Sequence, residues 1–283
     1  MEIKTIGVVG AGQMGNGIAQ VAAGSGLDVI MSDIKPEFVQ RGLDTITKIL
    51  KRSVDKKKLT AEELDAILGR IRTTVDLQDM ASADFVVEAA TEDEGLKFQI
   101  FTDLDEICEP EVILATNTSS IPIGRIAART RRPQKVIGMH FMNPVPVMKL
   151  VEVIRGLATS EETFQITWDL SEKLGKTPAE AGDYPGFLIN RILMPMINEA
   201  AFCLYHGIGT REDIDTVMTL GANHPMGPLA LADLIGLDTC LAIMDTLSDG
   251  FKDSKYRSCP LLRKYVEAGW LGRKTGRGFY EYG

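Results

Sequence analysis

The chain is poor in the residues that bind metals or cross-link a fold. Of its 283 residues four are cysteines and three are histidines. Cys108, Cys203, Cys240 and Cys259 form no C-x-x-C pair, and His140, His206 and His224 have no partner at metal-ligand spacing. A structural zinc is therefore not expected, and isolated thiols suit a cytoplasmic protein. Long apolar runs are also missing. Charges, glycine or proline interrupt every stretch before the ~18 residues a membrane span requires. Met1-Glu2-Ile3-Lys4-Thr5 leads into the first apolar run without a basic leader or a small-residue cleavage site, so no secretion signal is expected. Net positive charge is absent as well: 31 basic against 39 acidic residues leave −8, which disfavours broad binding to nucleic acid or anionic membranes. An anionic ligand must be met by a local site.

What is present is 45% hydrophobic and 25% charged residues, the composition of a globular protein long enough to need no staples. Ile3 to Val9 is a short apolar run, followed by Gly10-Ala11-Gly12-Gln13-Met14-Gly15, a helical stretch from Ile18, and a second run from Val29 to Asp33. This is a strand, a glycine turn, a helix and a strand, about the ~30 residues of a parallel crossover unit. Further strand-like runs at Phe85 to Glu88, Val112 to Thr116 and Val136 to His140 alternate with helical stretches such as Phe98 to Ile107. The pattern predicts an α/β domain with a doubly wound, Rossmann-type sheet over residues 1–184. Within it, Glu37 to Leu68 reads as an inserted helical hairpin broken near Leu59-Thr60, with Thr60 and Glu63 at capping-box spacing. A strand follows near Ile71 to Val75. After Asp183-Tyr184-Pro185-Gly186 only amphipathic segments punctuated by glycine remain, so residues 185–283 are expected to form an all-α domain.

Gly10-x-Gly12-x-x-Gly15 gains its meaning from context, since it follows a strand, opens a helix and precedes Asp33, 18 residues beyond Gly15. Glycines allow a tight turn and close approach to a pyrophosphate, the helix N-terminus offers free N–H groups, and Asp33 can accept hydrogen bonds from an adenosine ribose. A carboxylate there favours NAD over NADP, although Lys35 leaves room for a 2′-phosphate. Lys48, Arg52 and Lys56 recur every four residues in the insert, amid Lys51, Lys57 and Lys58. They would share a helix face, either holding a phosphate-bearing ligand or simply facing solvent. His140 closes a strand at the sheet edge where such domains bind ligands, and Glu152 lies in an apolar run, where pairing with an imidazole would satisfy it. His140 is thus either a base or a structural histidine. Ser119 ends another strand at the same edge, and either reaches a substrate oxygen or caps the helix beginning near Ile123.

These motifs, in this order, resemble the short-chain L-3-hydroxyacyl-CoA dehydrogenase family, and most closely its bacterial 3-hydroxybutyryl-CoA branch. The likeness spans nearly the whole chain: Gly10 to Gly15 with Gly17-Ile18-Ala19, Glu88-Ala-Ala-Thr-Glu92, Asn117-Thr-Ser-Ser120, His140-Phe-Met-Asn-Pro-Val-Pro146, Lys149-Leu-Val-Glu152, Pro185 to Arg191, Pro225 to Pro228 and Gly272 to Tyr280. It implies reversible hydride transfer between C3 of a short (S)-3-hydroxyacyl-CoA and NAD(H), with acetoacetyl-CoA as the substrate for reduction. His140 would be the base and Glu152 its partner, with Ser119 and Asn190 donating to substrate oxygens in a cleft between the domains. Cofactor positions carry over to the glycine loop, Asp33, Glu92, Lys97, Ser119, Asn143 and Lys274. Arg52 and Lys56 become the candidates for the CoA phosphates, and a homodimer built through the helical domain is implied. With the chain ending at Gly283, the hydratase domain of multifunctional relatives is not expected. Two rival readings are a free hydroxy-acid dehydrogenase of the L-gulonate 3-dehydrogenase and λ-crystallin group, which would need no phosphate-binding arm, and a non-catalytic NAD(H)-binding protein, in which the active-site residues would be free to drift.

Overall fold

The computed structural model describes residues 2–283, which separate into two compact units, residues 2–183 and 184–283. The first is built on an eight-stranded sheet in the order β3-β2-β1-β4-β5-β6-β7-β8. Its strands are β1 (Thr5–Val9), β2 (Asp28–Ser32), β3 (Ile71–Thr74), β4 (Phe85–Glu88), β5 (Ile113–Thr116), β6 (Val136–Phe141), β7 (Leu150–Arg155) and β8 (Thr177–Gly182). The first six run parallel, and the order reverses between β1 and β4. Parallel strands covered on both faces read as continuous apolar runs, and every residue of β4 and β5 is buried. The covering helices are α1 (Gln13–Gly24), α2 (Pro36–Asp55), α3 (Ala61–Gly69), α4 (Glu94–Ile107), α5 (Ile123–Ala127) and α6 (Glu161–Lys173).

The sheet is mixed where the alternation predicts a parallel one: β7 runs antiparallel to β6, and β8 parallel to β7. Only residues 142–149 join β6 to β7, and a parallel return needs a crossover of a dozen or more. The inserted hairpin is α2 and α3. At its break Thr60 accepts from Glu63 N at 3.1 Å, and the Glu63 side chain accepts from Thr60 N at 2.8 Å. One helical repeat stops early: α2 ends at Asp55, so Lys56 stands at the C-cap and not within the helix that carries Lys48 and Arg52.

The second unit is helical, with α7 (Ile189–Tyr205), α8 (Arg211–Thr216), α9 (Pro228–Ile235), α10 (Leu237–Phe251) and α11 (Pro260–Glu267). Met194, Ile197, Leu229, Leu237, Met244 and Leu262 centre its own core. Two buried carboxylates fasten its ends. Asp215 accepts from Leu229 N and Ala230 N at the start of α9, and Asp233 accepts from Phe279 N and Tyr280 N of the tail. No described helix is long and apolar enough to cross a membrane.

Candidate active site

In an open α/β sheet, ligands bind beyond the carboxyl ends of the strands near the point where strand order reverses. Val9, Ser32, Glu88, Thr116 and Phe141 end five of the six parallel strands on that edge, and the glycine loop, Asp33, Glu92, Ser119 and Asn143 follow them in turn. Gly10 adopts φ +103° immediately after β1, and a Cβ there would lie 2.6 Å from the Ala89 carbonyl oxygen. A Cβ on Gly15 would fall 1.7 Å from the carbonyl oxygen of Gly10, so α1 starts this close to β1 only with glycine. Asn16 is the first residue of α1 to donate to an in-helix carbonyl, that of Gly12 at 2.9 Å, so the amides of Gln13, Met14 and Gly15 precede the ladder. No side chain caps them.

Dinucleotide fit rests on Gly12 and Asp33. Nothing lies within 4 Å of a Cβ built on Gly12, so the glycine leaves space that any side chain would fill. Cavities of about 440 and about 420 Å³ border it on either side. The smaller is lined by Asp33, Ile34, Phe38, Val75, Ala89 and Asp103, among others, a largely apolar slot with the Asp33 carboxylate just beyond β2, as an adenosine requires. Asp33 Oδ2 accepts from Ala11 N at 2.8 Å and Oδ1 from Ile34 N at 2.7 Å, which orients the carboxylate toward that slot. Lys35 Nζ rests 5.6 Å from the Phe38 ring centroid, as does the Arg41 guanidinium. The larger cavity is lined by Gln13, Asn16, Arg41, Thr45, Asn143 and Pro146, among others. Gln13 Nε2 donates to Asn143 Oδ1 at 3.0 Å across its mouth.

His140 and Glu152 are brought together by the antiparallel turn of the chain, since they are direct cross-strand partners. His140 Nδ1 lies 2.8 Å from Glu152 Oε2, with both side chains buried. Glu152 is 1% exposed, and the imidazole gives a carboxylate so deep a counter-group.

Ser119 does not cap α5. That task falls to Asp183, whose two oxygens accept from Ile123 N and Gly124 N, both at 2.8 Å. The residue lies 60 positions away, beyond the reach of local spacing. Asp183→Ala is expected to cost about 1–2 kcal/mol in a urea denaturation midpoint, the upper range for a lost cap. Ser119 instead belongs to a turn gripped by Glu92, whose Oε1 accepts from Thr118 Oγ1 at 2.6 Å, Ser119 N at 2.9 Å and Ser120 Oγ at 2.9 Å. Burial favours the neutral acid of Glu92, but the Lys97 ammonium and these donors outweigh it and hold the carboxyl below the usual range. Lys97 is 1% exposed, and its ammonium is enclosed between Glu88 and Glu92.

The other candidates are dispersed. Arg52 and Lys56 are exposed at the far end of α2. Asn190 opens α7 and is buried, and Lys274 pairs with Asp238 at 2.6 Å; both belong to the helical unit. Spacing at intervals of four picks out Lys48, Arg52 and Lys56 but misses Arg41 and Thr45, which line the cavity from the same helix. The cue available was the longer series Arg41, Thr45, Arg52, Lys56, steps of four, seven and four on one helical face.

The first unit and the second each match a known domain: the 3-hydroxyacyl-CoA dehydrogenase NAD binding domain over residues 5–184 and the 3-hydroxyacyl-CoA dehydrogenase C-terminal domain over residues 186–282. The chain is 60% identical over 282 residues to a probable 3-hydroxybutyryl-CoA dehydrogenase of Bacillus subtilis, covering 100% of this chain and 98% of the relative. It is 56% identical over 280 residues to the 3-hydroxybutyryl-CoA dehydrogenase of Bradyrhizobium diazoefficiens, covering 99% and 96%. The crystal structure of the (S)-3-hydroxybutyryl-CoA dehydrogenase of Ralstonia eutropha superposes with a TM-score of 0.98 at 52% identity over 100% of both chains. Its dinucleotide is accordingly NAD, and the chain belongs to the 3-hydroxyacyl-CoA dehydrogenase family.

Proposed function

We propose that the protein is a 3-hydroxybutyryl-CoA dehydrogenase, interconverting short (S)-3-hydroxyacyl-CoA and 3-ketoacyl-CoA with a His-Glu pair as acid and base. The observation that carries this reading is the buried contact of 2.8 Å between His140 Nδ1 and Glu152 Oε2 near the end of β6, at the same sheet edge from which the glycine loop leaves β1. NAD, held by the glycine loop, Asp33 and Asn143, supplies the acceptor for the hydride leaving C3. With Nδ1 engaged by Glu152, Nε2 of His140 is assigned the proton of the 3-hydroxyl. The carboxylate fixes the tautomer and stabilises the imidazolium that forms as the carbonyl appears. Ser119 and Asn190 donate to substrate oxygens, and reduction of acetoacetyl-CoA returns the same proton from His140.

The arm supplies affinity. Arg41 and Thr45 line the larger cavity, and the exposed Arg52 and Lys56 continue the basic face, suited to the phosphates of CoA. Replacing both Arg52 and Lys56 with alanine is expected to raise the KM for acetoacetyl-CoA about tenfold, two exposed charge pairs being worth roughly 0.5–1 kcal/mol each. A truncated thioester lacking the nucleotide should show no change in KM.

The helical unit exposes Ile208 and Val217 on an apolar hollow of about 470 Å³, which supports a homodimer formed through it. Light scattering should then return twice the chain mass of 31.0 kDa. Its four free thiols suit a cytoplasmic enzyme.

The test is oxidation of NADH, and separately of NADPH, by the purified protein with acetoacetyl-CoA and with free acetoacetate. Turnover of the thioester alone, faster with NADH, is the expected result. Turnover of the free acid would replace this reading with a hydroxy-acid dehydrogenase, and NADH binding without either turnover would remove the catalytic assignment.

A further inference from the structure

We propose that Glu88 is a positioning residue for the reaction: from beneath the site it neutralises Lys97, and so leaves Glu92 to hold the turn that carries Ser119. The inference rests on the role assigned to Ser119 above.

Glu88 closes β4 and is 0% exposed. Its Oε1 accepts from Lys97 Nζ and from Ala90 N, both at 2.6 Å, and its Oε2 accepts from Thr116 Oγ1 at 2.7 Å. Its backbone carbonyl accepts from Asn117 N at 2.7 Å, and Asn117 Oδ1 accepts from Phe141 N at 2.9 Å, next to His140. One buried carboxylate thus ties together the ends of β4 and β5 and the start of α4, and its backbone leads on to β6. Packing does not call for the pair, because apolar side chains of the same size at both positions would fill this interior without the desolvation that an ion pair carries.

Lys97 explains the need. Its ammonium lies 2.6 Å from Glu88 and 3.5 Å from Glu92, so the inner carboxylate takes the short contact and the outer one the long. Glu92 is thereby left with Oε1 turned to the 118–120 turn, where the amides and hydroxyls of both Ser119 and Ser120 converge on it. Without the inner charge, the nearest carboxylate to the ammonium is Glu92. Contraction of that longer contact draws Glu92 off the turn, and Ser119 moves with the oxygen that holds its N–H and hydroxyl.

The experiment compares kcat and the KM for NADH and for acetoacetyl-CoA in Ser119→Ala, Glu88→Gln and the double variant Glu88→Gln/Lys97→Met, with thermal melts alongside. Ser119→Ala is expected to lower kcat. Glu88→Gln is expected to lower kcat about 10- to 100-fold, the effect of a donor displaced by a fraction of an ångström to 1 Å, with the KM for NADH within about twofold of the parent. The double variant removes the ammonium along with the inner carboxylate, so nothing draws Glu92 off the turn, and kcat and melting temperature are both expected to recover toward the parent. It also carries the test if the single variant does not fold. A melting temperature that recovers while kcat stays low would show that the ammonium does not draw Glu92 from the turn and would overturn the inference, as would parental kcat in Glu88→Gln assayed below its melting temperature. Parental kcat in Ser119→Ala would overturn the role of Ser119 itself, and the inference with it, whatever the Glu88 variants do.

Discussion

Replacing His140 with alanine is expected to lower acetoacetyl-CoA reduction and 3-hydroxybutyryl-CoA oxidation by about 10²- to 10⁴-fold, with NADH binding within about twofold of the parent. The two readouts separate because His140 sits on β6 while Asp33 and the glycine loop follow β2 and β1. Fluorescence titration of NADH reports the glycine loop and Asp33, and steady-state turnover reports His140. Glu152→Gln refines the test. A glutamine can still accept from Nδ1 and keep the ring oriented, but it cannot neutralise an imidazolium. Its loss of rate should fall short of that in His140→Ala. An unchanged rate in His140→Ala with cofactor binding retained would sink the acid-base assignment.

Gly15→Ala is the second large effect, expected to weaken NADH binding by about 10²-fold or more and to lower the melting temperature. An added Cβ would lie 1.7 Å from the Gly10 carbonyl oxygen, far inside any contact real side chains make, so α1 must withdraw from β1. The free amides at its start then leave the place where a pyrophosphate meets them, and hydrogen bonds to a charged group are worth about 1.5–3 kcal/mol each. Gly12→Ala is the control that divides fold from fit. Its Cβ meets no protein atom within 4 Å, so the melting temperature should hold while NADH binding still falls, because the methyl occupies the cofactor's space. A Gly12→Ala protein that binds NADH normally would contradict the placement of the dinucleotide.

Much of this was readable before any coordinates. The glycine loop, Asp33 and the capping box at Thr60 are local arrangements, where residue type and spacing decide the backbone within one or two turns. The His140–Glu152 contact was readable in principle. Two strand-like runs joined only by residues 142–149 must return antiparallel, and counting the register then sets the two residues opposite each other. Strand β8 was hidden by its composition, Thr-Pro-Ala-Glu-Ala-Gly, which has no β-branched residue after the first and includes a proline tolerated only at a sheet edge. It is a strand because β7 offers it a partner along its full length. The Glu88–Lys97 pair and the Asp183 cap were not readable, because each joins two elements whose juxtaposition only the fold creates. Asn190 and Lys274 were found by likeness alone; neither stands at a spacing that marks it.

Asp33 serves two masters. One of its oxygens steadies Ala11 in the glycine loop, and the other steadies the chain leaving β2, while the same carboxylate faces the adenosine slot. Redesign for NADP usually begins by deleting such a charge to admit a phosphate. In this protein that deletion would also orphan two amides and slacken the loop that grips the rest of the cofactor. An engineer would have to supply a neutral acceptor for Ala11 N, with asparagine the smallest candidate, before enlisting Lys35 and Arg41 from their seats on Phe38.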